Sequence, residues 1–129
     1  MREIKFRGKR LDNGEWVYGY PCYIDNEPII ITGYVKQVDG SLFHCNTFYF
    51  VILETIGQYT GQKDINGREI YEGDIVTNGV SVGVVIWDDV RAMFIIDCSQ
   101  CDIAPMDDWC ELKRIGNIYE NPELLKENG

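Results

Sequence analysis

The sequence is poor in basic residues, has no long apolar run and contains a single histidine. Twelve Lys and Arg side chains stand against 21 Asp and Glu, a net charge of −9, and such an excess repels phosphate backbones and anionic membranes. The longest run of aliphatic and aromatic residues, 48–53, is far shorter than the roughly 20 residues of a membrane-spanning helix. The composition therefore disfavours general nucleic-acid binding and a helix that crosses a bilayer.

A secretory signal and a disulfide framework are also missing from the sequence. Residues 1–7 alternate charged and apolar side chains and lack the continuous apolar core of a signal peptide. Five cysteines, an odd number, fit free thiols in a reducing compartment. We therefore expect the chain to act in the cytoplasm.

The residues that are present are typical of a folded β protein. The 129 residues are 45% hydrophobic with only four prolines, which suits one compact domain or two small ones that share a core. Asn-Gly and Asp-Gly pairs favour the positive φ angles of two-residue hairpin turns. Four such pairs lie between alternating or β-prone segments, and each predicts a hairpin: Asn13-Gly14, Asp39-Gly40, Asn66-Gly67 and Asn78-Gly79.

Periodicity predicts a buried strand face and one helix. Val80, Val82, Val84 and Ile86 recur at every second position, which predicts that this side of their strand faces the core. At the other end of the chain, Asn121 is a good N-cap, and the proline after it suits the first helical position. We therefore expect an all-β fold with one short C-terminal helix.

Three blocks resemble the YopX family of phage and prophage proteins. They are the opening 1–7, the glycine-rich block 58–76 (QYTGQKDINGREIYEGDIV) and the block 115–125 (IGNIYENPELL). The resemblance implies that the C-terminal part is similar to a small SH3-like β-barrel. The glycine-rich stretch around Gly57 and Gly61 is the best internal boundary, so we expect an N-terminal β-hairpin subdomain at 1–56 and the barrel core at 57–129. It also implies a phage or prophage origin, hence a bacterial cytoplasm, and it implies no enzymatic activity. Leu53 stands where relatives commonly have a proline, so we expect a continuing strand there.

The carboxylates of the central block have two interpretations. Glu69, Glu72 and Asp74 lie within six positions and are the residues that would hold a hard cation. The alternative is that Asp64 and Asp74 accept hydrogen bonds from turn amides while the glutamates are solvated. We favour the structural interpretation, because no base, nucleophile or phosphate-binding loop accompanies these residues. The sequence predicts no catalytic, cofactor or metal site.

The cysteines and the histidine form a second candidate site. Cys98 and Cys101 have the C-x-x-C spacing of a zinc or redox pair, and either Cys110 or the adjacent His44 and Cys45 would complete a zinc site. A second C-x-x-C is absent, and the pair follows a predicted strand in place of opening a helix. We therefore expect free thiols and no stoichiometric zinc.

The function of the chain has two competing interpretations, and neither is enzymatic. The first is a phage-encoded, non-catalytic interaction module that forms homo-oligomers. Residues 1–10 carry five basic residues against one acidic residue, so we expect the first strand to offer a free edge to another copy, with Tyr18, Tyr20 and Tyr23 as anchors.

The second interpretation is a protein related to nucleic acid. One form is an acidic mimic of DNA that acts on a host protein through residues 88–111, where seven carboxylates stand against Arg91. The other form is a weak binder that uses the basic N-terminal segment.

Overall fold

The structure, a computed structural model, describes residues 4–36, 43–98, 104–106, 109 and 111–126. Within them the chain is mostly β, with eleven strands, one 3-10 turn (Leu53–Thr55) and one short helix, α1 (Glu123–Lys126). The strands are β1 Phe6–Lys9, β2 Trp16–Ile24, β3 Glu27–Lys36, β4 Phe43–Phe50, β5 Gly57–Lys63, β6 Glu69–Tyr71, β7 Asp74–Thr77, β8 Val82–Asp88, β9 Met93–Asp97, β10 Ala104–Pro105 and β11 Lys113–Asn117. The all-β prediction with one C-terminal helix is confirmed.

Predicted turns join neighbouring strands at three of the four glycine pairs. Gly14, Gly67 and Gly79 have φ angles of 74°, 80° and 94°, in the left-handed region that glycine adopts most readily. These glycines lie between β1 and β2, β5 and β6, and β7 and β8. The fourth pair, residues 39–40, lies outside the described residues.

Two compact units divide the chain, and each has its own interior. The N-terminal unit is Glu3–Gln58, and the C-terminal unit is Tyr59–Gly129 with Met1–Arg2. The sequence-based boundary, between residues 56 and 57, falls at the first residue of β5.

The N-terminal unit is an antiparallel sheet in the order β4-β3-β2-β1. On its other side β1 pairs with the start of β5, where Phe6 lies opposite Gln58. The first strand is therefore interior to its sheet, and the predicted free edge at this strand is wrong. Sequence alternation predicted β1 but not both of its neighbours, because the second neighbour, the start of β5, lies far along the chain.

The end of β4 returns to the end of β1. Arg10 and Val51 form an isolated antiparallel bridge, and the Leu11 amide donates to the Phe50 carbonyl at 2.9 Å. The 3-10 turn follows directly, so the strand expected to continue through Leu53 is replaced by a turn. Thr55 fixes that turn, because its hydroxyl donates to the Ile52 carbonyl and accepts from the Lys9 amide.

The C-terminal unit contains a five-stranded antiparallel sheet in the order β10-β9-β8-β7-β11, together with pairing between β5 and β6. The described strands form no closed barrel, since β10 and β11 end this sheet without pairing to each other. The predicted SH3-like barrel is therefore not confirmed. The core consists of Ile70, Val76, Val85, Phe94, Ile96, Met106 and Leu112.

The core-facing side of β8 differs from the prediction. Val85 is fully buried, whereas Val84 and Ile86 are half-buried and Val80 is 90% exposed. Both faces of this strand carry apolar residues, so the two-residue period alone did not identify the core side. Pairing with β7 and β9 places Val85 against the core and the even-numbered residues on the opposite side.

No helix within the described ranges has the length and apolar character needed to cross a membrane.

Candidate functional site

The buried carboxylate of Asp64 organises the turn between β5 and β6. Its Oδ1 accepts from the backbone amides of Asn66 and Arg68, both at 2.9 Å, and its Oδ2 accepts from the Arg114 amide at 3.0 Å. Burial favours the neutral acid, but these bonds outweigh it and hold the pKa of Asp64 below its ordinary value, helped by the Arg68 guanidinium at 3.4 Å. All of these partners belong to the β5–β6 turn or to β11, so Asp64 links that turn to β11.

Asp74 has a similar role at the next turn. It is 1% exposed, and its Oδ2 accepts from the Tyr71 amide at 2.7 Å across Gly73, whose φ is 93°. The prediction that Asp64 and Asp74 bond turn amides is therefore confirmed.

The glutamates of the same block are only half-buried, and Glu69 accepts from the Tyr71 hydroxyl at 3.0 Å. Among the described residues, no three His, Cys, Asp or Glu side chains come close enough together to hold a metal ion. The expected absence of a metal stays a prediction.

The last block builds the turn before α1. Asn117 Oδ1 accepts from the amides of Tyr119 and Glu120 at 3.0 and 2.9 Å, and its Nδ2 donates to Glu120 Oε1. Asn121 directs its side chain back to this turn, where Oδ1 accepts from the Asn117 amide at 3.3 Å. A Cβ at Gly116 would lie 2.7 Å from that Asn121 oxygen, so the glycine is required by close packing.

The cysteine candidates are only partly described. Cys98 is buried and free, and Cys22 is exposed and free, while Cys101 and Cys110 lie outside the described residues. The backbone of His44 and Cys45 belongs to β4. Zinc binding is therefore untested, and its absence stays a prediction.

Within the acidic segment 88–111, Asp88 holds the turn between β8 and β9. Asp88 Oδ1 accepts from the Val90 amide, and its Oδ2 lies 2.6 Å from the Arg91 guanidinium. The bond from Arg91 lowers the pKa of Asp88, and the turn amides add to that effect. Asp97 is exposed, and residues 102, 107 and 108 lie outside the described ranges.

An aromatic surface covers one face of the N-terminal sheet. We define it as Trp16, Tyr18 and Tyr20 on β2 and Phe48 on β4. Tyr18 and Tyr20 are 46% and 47% exposed, and alternate positions of a strand lie on the same face. Ile31 on β3 lies between Tyr20 and Phe48 in the register, so it separates the aromatic side chains of β2 from that of β4.

Two basic side chains neighbour this aromatic surface: Arg7, which is buried at 3% exposure, and Lys9, which is half-buried. On the neighbouring strand Arg7 is directly opposite Tyr18, and Lys9 is directly opposite Trp16. The Arg7 guanidinium lies 4.4 Å from the Trp16 ring centroid, within the range of a cation–π contact. Tyr23, expected to act with Tyr18 and Tyr20, is on the opposite face of β2 and is 60% exposed.

An apolar groove lies where β4 ends. Its exposed apolar residues are Leu11, Phe48, Phe50 and Leu53, at 64%, 37%, 39% and 51%. They line two adjoining hollows of about 460 and 310 Å³, with Glu27 at the rim of both. Arg10 closes one side, where it pairs with Asp12 at 2.7 Å and lies 4.3 Å from the Tyr49 ring.

Sequence reasoning found the tyrosines of the aromatic surface but missed the apolar groove. The alternation of Trp16, Tyr18 and Tyr20 was the available signal for the first. No sequence signal pointed to the groove, because Leu11 and Leu53 are distant in the chain and come together only through the Arg10–Val51 bridge.

Comparison with known proteins gives a family and a structural relative, but no biochemical activity. The family model for YopX protein matches residues 5–126. The chain is similar to protein EF1440 from Enterococcus faecalis, whose crystal structure matches with a TM-score of 0.69 at 25% sequence identity, covering 97% of this chain and 99% of that one. A search of curated proteins finds no match.

Proposed function

We propose that this chain, which belongs to the YopX protein family, is a non-catalytic protein-interaction module that assembles with copies of itself. The observation that carries the proposal is the apolar groove, whose Leu11 and Leu53 are 64% and 51% exposed. Contiguous exposed apolar side chains on a folded domain mark a surface that a partner covers.

A second copy of the chain is the partner that the edge strand favours. Among the described strands, β4 ends the sheet of the N-terminal unit. Its eight residues, FHCNTFYF, include no charged residue and no proline, which are the residues that usually protect an edge from pairing. Antiparallel pairing of β4 with its copy about a two-fold axis satisfies both edges over the residues before Phe50, whose carbonyl already accepts from the Leu11 amide, and brings the two grooves into one interface.

The absence of catalysis is part of this proposal. It is supported by the engagement of Asp64 and Asp74 with backbone amides, which leaves these carboxylates holding turns. A catalytic acid or base needs instead to reach a substrate.

The phage or prophage origin and a site of action in the bacterial cytoplasm also belong to the proposal. Both rest on the family resemblance of the three sequence blocks. An SH3-like arrangement of the C-terminal unit is a further part, supported by the five antiparallel strands of its sheet.

Light scattering tests the assembly. We expect the wild-type chain to have a mass of two or more times 14.9 kDa. Leu53→Lys should be monomeric, because a charge in the groove must be desolvated when the copies meet. Val90→Lys is the matched control, since Val90 is 92% exposed and lies in the C-terminal unit. A monomeric wild type at the highest concentration that stays in solution would refute the proposal, as would an assembly that Leu53→Lys leaves intact.

A further inference from the structure

We infer that Asn66 is a site of spontaneous deamidation, a covalent modification that loosens the turn between β5 and β6. The inference is independent of the proposed self-assembly, because Asn66 lies in the C-terminal unit. Its chemical basis is the pair Asn66-Gly67. A glycine that follows asparagine has no Cβ to hinder the approach of its backbone nitrogen to the asparagine side chain.

The reaction needs water as its only co-reactant and involves no oxidation or reduction. The backbone nitrogen of Gly67 loses its proton and bonds to Cγ of Asn66, the bond from Cγ to Nδ2 breaks, and ammonia leaves. Water then opens the resulting five-membered succinimide ring at either of its two carbonyls. One opening gives aspartate, and the other gives isoaspartate, in which the backbone runs through Cβ and Cγ.

Three Asn-Gly pairs lie among the described residues, and the attacking nitrogen is engaged in a similar way in each. Every glycine amide donates one hydrogen bond: Gly14 to the Arg10 carbonyl at 3.0 Å, Gly67 to the Asp64 carbonyl at 2.9 Å and Gly79 to the Thr77 hydroxyl at 3.1 Å. The glycine amides therefore do not distinguish the three pairs.

The asparagine side chains do distinguish the pairs. Asn13 Oδ1 accepts from the amide two residues further on at 2.9 Å, and Asn78 Oδ1 accepts from two amides of its own turn at 2.9 and 2.8 Å. Asn66 is exposed, and its side chain makes no hydrogen bond within the described part of the chain. Only at Asn66 can Cγ rotate toward the glycine nitrogen without first breaking a bond of the side chain.

The product alters the turn that Asp64 organises. Asp64 Oδ1 accepts from the amides of Asn66 and Arg68, both at 2.9 Å. Isoaspartate at position 66 adds one backbone atom between these two amides, so both cannot keep their places on the same oxygen. Aspartate keeps the length of the backbone and adds only a negative charge. We therefore expect isoaspartate to destabilise the C-terminal unit more than aspartate does.

Peptide mapping by mass spectrometry of the full chain, aged at mildly alkaline pH, tests the inference. We expect Asn66 to convert first. Asn13 should convert about fivefold more slowly, since one hydrogen bond of ordinary net strength must break before the attack, and Asn78, with two such bonds, more slowly still. The pair at 128–129 lies outside the described residues and is followed in its own peptide.

Denaturation supplies the matched control. In concentrated urea the hydrogen bonds of all three turns are lost, so Asn13, Asn66 and Asn78 should convert at similar rates. Asn66→Gln should remove the conversion at this position from the folded chain, because its longer side chain would have to close a less favourable six-membered ring. Two results would overturn the inference: Asn13 or Asn78 converting as fast as Asn66 in the folded chain, or Asn66 staying intact while the denatured chain reacts.

The effect on the turn is measured by urea denaturation of the fraction that is deamidated at residue 66 alone, which its extra negative charge separates from the unmodified chain. Asn66→Asp is the control, since it carries the charge without the extra backbone atom. We expect the deamidated fraction to unfold at a lower urea concentration than Asn66→Asp, and equal midpoints would refute the loosening of the turn. Neither measurement depends on assembled mass, so a failure here is distinct from a failure of the self-assembly proposal.

Discussion

The two units of this chain distribute polar and apolar groups in opposite ways. The C-terminal unit buries the carboxylates of Asp64 and Asp74 in hydrogen-bonded turns, and residues 59–129 carry 14 acidic against six basic residues. Residues 3–58 are close to balanced, with seven acidic and five basic residues. The N-terminal unit therefore carries the smaller net charge, so the second acidic copy that we propose would be repelled less by it than by the C-terminal unit.

Exposed apolar side chains show the same contrast. Of the twelve large ones among the described residues, eight lie in the N-terminal unit and four in the C-terminal unit. The central and last of the blocks that resemble the YopX family lie almost wholly in the C-terminal unit, where their polar side chains hold turns. Residues that identify a family can therefore maintain its scaffold while binding surfaces lie elsewhere.

The largest expected effect tests whether the central block is a scaffold. Asp64→Ala leaves three backbone amides without their acceptor, and we expect it to lower the free energy of unfolding by about 3 kcal/mol. Urea denaturation gives this value, with Asp97→Ala as the control because Asp97 is exposed. A loss below about 1 kcal/mol would mean that the turn does not depend on Asp64.

A smaller effect tests how tightly the N-terminal sheet is built. A Cβ at Gly19 would overlap the backbone carbonyl of Ile31 on the paired strand, and we expect Gly19→Ala to destabilise the chain by about 2 kcal/mol. Hydrogen exchange followed by mass spectrometry should place the lost protection in residues 3–58. Gly14→Ala is a useful contrast. That glycine has open space around it, so the substitution causes no overlap and strains only its positive φ. Protection that falls in the C-terminal unit alone would contradict this assignment.

The smallest effect sharpens the comparison through pH. The pKa of Asp64 is lowered in the folded chain, so its stabilising contribution is complete above the unfolded value of about 3.9 and is lost as pH falls through the folded value. As pH falls, we expect the amides of residues 64–68 and 114 to lose protection from hydrogen exchange at a higher pH than the amides of the β2–β3 hairpin. Asp64→Asn should reduce this pH dependence, and an unchanged acid profile in that variant would refute the cause.

Local chemistry allowed the sequence to predict turns and strands. Asn66-Gly67 and Asn78-Gly79 specify turns by the φ angles that glycine permits, and Asp64 lies where a carboxylate reaches the following amides. Such local signals do not predict which distant segments pair with each other. The second neighbour of β1 comes from residues 57–58, and the core side of β8 depends on pairing with β7 and β9.

The candidate surfaces follow the same division. Alternation on β2 identified Tyr18 and Tyr20, whereas Tyr23 was grouped with them only because it follows the first hairpin, and an odd step places it on the other face. The apolar groove needs Leu11 and Leu53 together, and only the closure of β4 onto β1 joins them. Sequence patterns therefore identify surfaces carried by one strand better than surfaces made by the meeting of two segments.

The bridge between Arg10 and Val51 also sets the order in which the chain reaches its native state. During synthesis β2 follows β1 directly and the two can pair at once, but the remaining neighbours of β1, residues 50–52 and 57–58, emerge only after β3 and most of β4. Closing so long a loop is slow compared with forming a hairpin. Strand β1 is thus among the last strands of its sheet to gain all of its neighbours, and until then its second side is open to pairing with another strand.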